Sequence, residues 1–291
     1  MTEPTPRDRA VRLYDAFTHE HRDRRTLLRE MTALAGSTVA AEALIAGIAA
    51  SPAAAAAIVD PADKRLDVAM RTGTEAGAPA RAYFAELKDK ATRGTVLVIH
   101  ENRGLTPHIQ DVARRVALAG FLAIAPDLLA PQGGTPADED KARDMIGSAD
   151  YDLALAQARA FAQQARALPG SSGKVGIVGF CWGGAFVNRM ALAGGIDAGV
   201  SYYGPAPDPA EVANVRAPLM LHYAERDARV AQTGDPWVAA LKTANKPVEA
   251  FTYPDVDHAF NNDTSAARYN KAAADLAWGR TIAFLHRHLD G

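Results

Sequence analysis

At 291 residues, 48% hydrophobic and 23% charged, the chain is long enough for one large domain with a full core, or for a domain with an appendage. A formal charge of −2 gives no electrostatic reason to expect nucleic acid or an anionic membrane as partner. Its single cysteine excludes an intrachain disulfide and a CxxC metal site, and leaves a lone thiol to be weighed together with a histidine elsewhere in the chain.

Residues 1–60 differ in texture from the rest. Arg7 to His19 predicts a short amphipathic helix, with Val11, Tyr14 and Phe17 at helical spacing. Asp23-Arg24-Arg25-Thr26-Leu27-Leu28-Arg29 then leads into an Ala-rich stretch running to Ala57. A twin arginine followed by leucines and an apolar run is the pattern of a twin-arginine export signal. Glu42 inside the run, and the distance of the arginines from residue 1, favour a retained helical arm that covers the body or pairs protomers into a homodimer. The run is too Ala-rich and interrupted for a membrane span. A cytoplasmic location is expected, with the periplasm as the alternative if the signal reading holds.

From Asp60-Pro61 onward, residues 61–291, strands and helices alternate. Leu66 to Arg71 and Ala80 to Leu87 predict antiparallel strands joined by a turn over residues 73–79. Thr95 to His100 is a continuous apolar run, as a buried central strand requires. Pro107 to Ala119 predicts a helix ended by Gly120, and Phe121 to Ala125 another strand. Pro131 to Asp140 reads as a loop, and Lys141 to Ala167 as one or two helices. Further strands are expected at Ala198 to Tyr203, Pro218 to Tyr223 and Val248 to Tyr253, with helices at about Pro236 to Thr243 and Ala266 to Leu289. Such alternation gives an open, mostly parallel sheet wound on both faces, with functional residues in loops at the C-terminal strand ends.

The stretch Lys174 to Met190, KVGIVGFCWGGAFVNRM, passes from a β-branched run through Gly179-Phe180-Cys181-Trp182-Gly183 into a helix-compatible segment. It matches the G-x-S-x-G nucleophile elbow with Cys in place of Ser. Glycines two residues either side let backbone segments pass closely, and the following helix N-terminus favours a thiolate and then an oxyanion. Two later strand ends carry Ala224-Glu225-Arg226-Asp227 and Pro254-Asp255-Val256-Asp257-His258. Nucleophile, acid and histidine then follow in α/β-hydrolase order: Cys181 to attack an acyl carbon, His258 to shuttle the proton, Asp227 to orient the imidazole. Glu225 and Asp257 are rival carboxylates. No Cys/His cluster has metal-ligand spacing, His19/His21 being too sparse, and neither a Walker loop nor a dinucleotide fingerprint is present, so no metal or cofactor is expected.

Gly179-Phe180-Cys181-Trp182-Gly183-Gly184, with Asp227 and His258, resembles the dienelactone hydrolase family, α/β-hydrolases with a cysteine nucleophile, over about residues 61–291. His100-Glu101-Asn102-Arg103-Gly104 after the central strand, and Pro126-Asp127-Leu128 after the next, carry the resemblance further. It implies an α/β-hydrolase fold and cleavage of a small-molecule ester or lactone through an acyl-enzyme. It also implies that Glu101 interacts with the resting thiol and helps generate the thiolate, and that the amides of Trp182 and Asn102 form the oxyanion hole. Two arginines that hold the substrate carboxylate in dienelactone hydrolases proper are replaced here, by Leu129-Ala130-Pro131-Gln132 and by Ala259-Phe260-Asn261-Asn262-Asp263. Their loss removes the natural reader of a small anionic lactone. The segments HENRGL, GFCWGG and HAFNND are similar to a bacterial branch that also carries the N-terminal arm.

Arg103 or Arg268 replaces the lost charge, although exposed, solvated side chains are the plainer expectation for both. Trp182, Tyr202, Tyr203 and Phe260 wall an apolar acyl pocket or are ordinary core aromatics. Arg103, Tyr203, Phe260 and Asn262 are thus the candidate substrate-binding residues. Phosphotriester or thioester cleavage at the same residues, or redox sensing by Cys181 on a retained fold, are the competing readings.

Overall fold

The computed structural model describes residues 5–19, 22–49, 57–89 and 91–290. Eight strands form one sheet: β1 Leu66–Glu75, β2 Ala78–Leu87, β3 Arg93–Ile99, β4 Leu122–Pro126, β5 Ser171–Phe180, β6 Ala198–Tyr202, β7 Leu219–Ala224 and β8 Val248–Tyr253. Their order is β1-β2-β4-β3-β5-β6-β7-β8. The β1–β2 and β2–β4 pairs are antiparallel and the other five parallel. This is the predicted mostly parallel sheet.

Alternation along β3 explains the two layers that cover it. Val96 and Val98 pack on one face with Ile109, Val112 and Val116 of α4 (Pro107–Leu118) and with Phe284 and Leu285 of α9 (Lys271–Leu289). Leu97 and Ile99 pack on the other with Phe161 of α6 (Tyr151–Arg166), Val187 of α7 (Trp182–Ala193) and Trp237 of α8 (Ala228–Thr243). All four β3 residues are fully buried, as a strand covered on both faces must be.

Several boundaries differ from expectation. The β1–β2 hairpin runs to Glu75 and restarts at Ala78, so its turn is the pair Ala76-Gly77, both at positive φ. Glu139 and Asp140 open a helix, α5 (Glu139–Gly147), with Asp138 as its N-cap. Asp150 caps α6, so residues 141–167 hold two helices. Helix α8 begins at Ala228, eight residues before its expected start. Asp227 caps it by accepting from the Val230 amide, and buried Val230 and Trp237 anchor both sides of the interior Pro236. That anchoring offsets a defect of about 3 kcal/mol. Helix α9 starts at Lys271 behind the cap Asn270.

The N-terminal arm is helical: α1 Pro6–His19, α2 Arg24–Ala35 and α3 Thr38–Ile48. Asp23 caps α2 through the Thr26 amide, and Ser37 caps α3 through that of Ala40. Val11, Tyr14 and Phe17 form the predicted stripe, closing a small core with Leu27, Met31, Ala41 and Ile48. The twin arginine occupies the first turn of α2, where Arg24 pairs with Asp140 at 2.7 Å. Helices α2 and α3 meet at 110°, and among the described residues no single helix is long and apolar enough to cross a membrane. The end of the Ala-rich run, residues 50–56, and the His19/His21 side chains lie outside the described residues.

Candidate active site

Strand β5 delivers its chain at the sheet centre and stops at Phe180. Cys181 takes φ 54° and ψ −112°, a conformation that costs about 1–3 kcal/mol in a non-glycine residue unless its surroundings hold it. They do: its amide donates to the Tyr202 carbonyl at 3.0 Å, and α7 begins at the next residue. A Cβ on Gly179 would lie 2.1 Å from the Gly183 carbonyl oxygen, and one on Gly183 would lie 2.5 Å from that of His100. Only glycines admit this approach of the elbow to itself and to the end of β3.

The histidine and acid come from the next strand ends. His258, 3% exposed, follows β8, and its Nδ1 meets Oδ2 of Asp227 at 2.5 Å. The same histidine hydrogen-bonds with the Cys181 side chain. Burial alone would depress the imidazole, but the Asp227 charge, then the Cys181 charge and the two hydrogen bonds outweigh it and push it up to about 10. Burial likewise opposes ionisation of Asp227, and the His258 charge and hydrogen bond overcome it, holding the carboxyl below its ordinary range. The rival carboxylates are occupied elsewhere: Glu225 is exposed and accepts from the Asp255 amide, while Asp257 pairs with Arg7 at 3.3 Å.

The turn after β3 supplies Glu101 and Asn102 beside this group, and both line a small cavity of about 30 Å³ that Cys181 and His258 share. Trp182 and Asn102 border a larger cavity of about 680 Å³ that Cys181 also lines. A residue to which no role was assigned links the two loops. His100 is fully buried, and burial holds its imidazole below the ordinary value. Its Nε2 accepts from the Leu128 amide at 3.3 Å, so Nδ1 carries the proton and donates to the Glu101 carbonyl at 2.7 Å. Its ring stacks on Trp182 with centroids 5.5 Å apart.

Three of the four candidate substrate-binding residues move to other roles. Asn262 is a supporting residue: Nδ2 donates to Glu101 Oε2 at 2.8 Å, and Oδ1 accepts from the Thr264 amide and hydroxyl. Phe260 is core, fully buried against Tyr203 and Tyr253, because its flanking loop turns it beneath the sheet end. Tyr203 is equally buried, its ring 5.0 Å from that of His258. Of the four aromatics expected at an acyl pocket, Trp182 alone borders the large cavity with Cys181; Tyr202 hydrogen-bonds Thr281 in the core. Arg103 does border the small cavity, but it is 9% exposed and paired with Glu139 at 3.6 Å, not solvated. Arg268 is 8% exposed and pairs with Asp15 of α1 at 3.2 Å. Burial opposes its charge, and Asp15, Tyr14 and Glu101 outweigh that.

Tyr14, Phe17 and Thr18 of α1, together with Arg229 of α8, also line the two cavities. The amphipathic stripe shows that α1 buries a face; nothing in the sequence shows that its last turn reaches the cavities at Cys181.

Comparison with known proteins agrees with this architecture. The model of the dienelactone hydrolase family matches residues 80–289. The chain belongs to the dienelactone hydrolase family. A candidate carboxymethylenebutenolidase of Salmonella typhi is 30% identical over 258 residues, covering 82% of this chain and 94% of that protein. A candidate dienelactone hydrolase from Klebsiella pneumoniae subsp. pneumoniae superposes with a TM-score of 0.70 at 28% identity, over 77% of this chain and 99% of its own. A dienelactone hydrolase-like promiscuous phosphotriesterase from metagenomic libraries shares the fold at a TM-score of 0.68 and 19% identity, over 77% and 99% of the two chains. The fold is that of the α/β-hydrolases, and the chain is a hydrolase of this family. Its family match begins after the arm and after β1.

Proposed function

We propose that this dienelactone hydrolase family member cleaves a carboxylic ester or lactone through an acyl-enzyme on Cys181. The observation that carries the reading is the buried line Asp227–His258–Cys181 at the tip of the elbow, with His258 held protonated toward the sulfur. The thiolate attacks the acyl carbon, and the oxyanion that forms is met by the amides of Trp182 and Asn102. Each such donor typically contributes about 10²–10³ in rate. Collapse breaks the carbon–oxygen bond, and the His258 proton passes to the departing alkoxide. A lactone opens at this step and its alcohol stays tethered to the acyl group. Water then attacks the thioester while neutral His258 accepts its proton, and Cys181 leaves as thiolate. The carboxylic acid departs, and the free enzyme is restored. Glu101, held by Asn262 and lining the small cavity with Cys181 and Arg268, accepts the Cys181 proton as substrate enters and returns it when the thiolate leaves the acyl group. Every proton and electron pair is accounted for by these side chains and water, so the chemistry requires no cofactor.

Intact-protein mass spectrometry tests the reading. Wild type, Cys181→Ala and His258→Ala are mixed with p-nitrophenyl acetate. The expected result is a burst of nitrophenolate with a transient acetyl adduct seen only when Cys181 is present. No burst and no adduct, with the thiol still open to iodoacetamide, would overturn it; a thioester and phosphotriester panel would then identify the electrophile.

A further inference from the structure

We infer that the N-terminal arm is a working wall of the active site, and that Phe17 and Thr18 of α1 select substrates bearing a bulky apolar group. The inference rests on the ester or lactone reading and deepens it. At about 680 Å³, the cavity beside Cys181 is far larger than an acetyl group needs and within the range of sites that enclose drug-sized ligands. Its apolar lining comes from Ile146, Tyr151, Trp182 and Pro205 of the body and from Phe17 of the arm, with Thr18 beside it. The small cavity that Cys181 also lines has room for about one water, and Tyr14 and Thr18 line it from the arm. Cys181 therefore borders both a seat for a large apolar group and a polar seat of water size, and α1 lines both.

The arm is docked at the site by directional contacts. Asn102, whose amide is assigned to the oxyanion, donates from Nδ2 to the Thr18 carbonyl at 3.4 Å. The Arg143 guanidinium lies 4.2 Å over the Phe17 ring. Asp15 pairs with the buried Arg268, and the Gly47 and Ile48 carbonyls accept from the Ala267 amide and the Ser265 hydroxyl at 3.2 and 2.8 Å. These contacts fix the Phe17–Thr18 turn over the cavity mouth, and all use residues outside the family match on the arm side. Such a wall confers on this chain a pocket shape that the shared fold does not dictate.

The test uses full-length Thr18→Phe, which fills the cavity from its partly exposed wall, and Phe17→Ala, which enlarges it. The first readout is the ratio of kcat/KM for p-nitrophenyl octanoate to that for the acetate. The second needs no turnover: the ratio of Cys181 alkylation rates by N-phenylmaleimide and by iodoacetamide, read by mass. Thr18→Phe is expected to lower both ratios about tenfold, the scale of discrimination by an apolar pocket, and Phe17→Ala to raise them. Val39→Ser, on the arm but 78% exposed, should leave both as in wild type. Unchanged ratios in Thr18→Phe, or an equal shift in Val39→Ser, overturn the inference. If no ester is turned over by any form while the alkylation ratio still shifts, the wall stands and the ester reading falls.

Discussion

Adding one methyl group at Gly183 tests whether the end of β3 and the start of α7 form one oxyanion-binding unit. A Cβ there would sit 2.5 Å from the His100 carbonyl oxygen and 2.6 Å from that of Ile99. Both neighbours are backbone, the last residue of the central strand and the one after it, which cannot rotate aside as a side chain can. To restore the 3.4 Å of ordinary contact the two segments must part by roughly 0.9 Å in a close-packed interior. Trp182 directly precedes Gly183 and Asn102 lies two residues after His100, so parting these segments takes one of the two proposed amides off its aim at the developing oxyanion. A misplacement of about 1 Å costs about 10² in rate, or about 2.7 kcal/mol of transition-state stabilisation. Gly183→Ala should therefore slow the nitrophenolate burst about a hundredfold while the fold survives, with a cost of about 1–3 kcal/mol of the kind seen on overpacking. The assay pairs burst kinetics with a melting curve and with iodoacetamide labelling, which shows whether Cys181 is still reachable. Gly279→Ala in α9 is the comparator: it is exposed, meets nothing within 4 Å, and should leave the burst unchanged. A folded, labelled Gly183→Ala protein that bursts within twofold of wild type would refute the reasoning.

The His258 pair predicts a pH dependence of stability. Its folded value of about 10 lies above the ordinary 6.5, so the pair's contribution is complete below 6.5 and is lost as pH rises through 10. The melting temperature should fall across that window in wild type and much less in Asp227→Asn, as scanning calorimetry at fixed salt will show; equal slopes would contradict it. Glu101→Gln keeps an acceptor for Asn262 and removes only the charge, so the melting temperature should hold while the burst slows about 10²-fold. A wild-type burst in that variant would remove Glu101 from the mechanism. Asp15→Ala leaves Arg268 buried without its carboxylate; because Asp15 is 23% exposed, the cost should be about 2–3 kcal/mol, less than for a fully buried pair. Urea unfolding measures it, and a loss under 0.5 kcal/mol would mean that Arg268 finds another partner.

The sheet, the elbow and the chain order in which Cys181, Asp227 and His258 come together were legible because each depends on local pattern. A β-branched run, two glycines flanking one thiol, and acidic and histidine-bearing strand ends constrain the backbone within a few residues of themselves. The start of α8 was not legible, since Pro236 reads as a helix opening and only the Asp227 cap, together with burial of Val230 and Trp237, shows that the helix already runs there. The loop after His258 defeated residue-by-residue inference for a related reason. Phe260 and Asn262 lie two apart in an irregular segment with Ala259 at φ 64°, where no period assigns faces. One is buried beneath the sheet end and the other behind Glu101.

Arg268 shows the deeper limit. As a single arginine near the start of the expected helix Ala266 to Leu289 it reads as solvated, because an arginine is ordinarily exposed. Its partner, Asp15, lies 253 residues away, in the arm. An amphipathic stripe such as Val11, Tyr14 and Phe17 states that a face is buried; it does not name the surface that buries it. The arm's stripe closes on α2 and α3, so by pattern alone α1–α3 is a self-sufficient appendage. Besides Ala267, which packs on the arm's apolar core, what ties it to the body is polar: the Asp15–Arg268 and Arg7–Asp257 pairs and the Asn102–Thr18 hydrogen bond. Polar side chains on an amphipathic helix are by default assigned to solvent, so sequence reading discards the contacts that seat this arm on the site. A helix whose polar face carries a carboxylate matched to a buried arginine is thus docked by charge while its apolar face is docked by its neighbours, and residues at the boundary of the two faces, Phe17 and Thr18, are left facing the cavity.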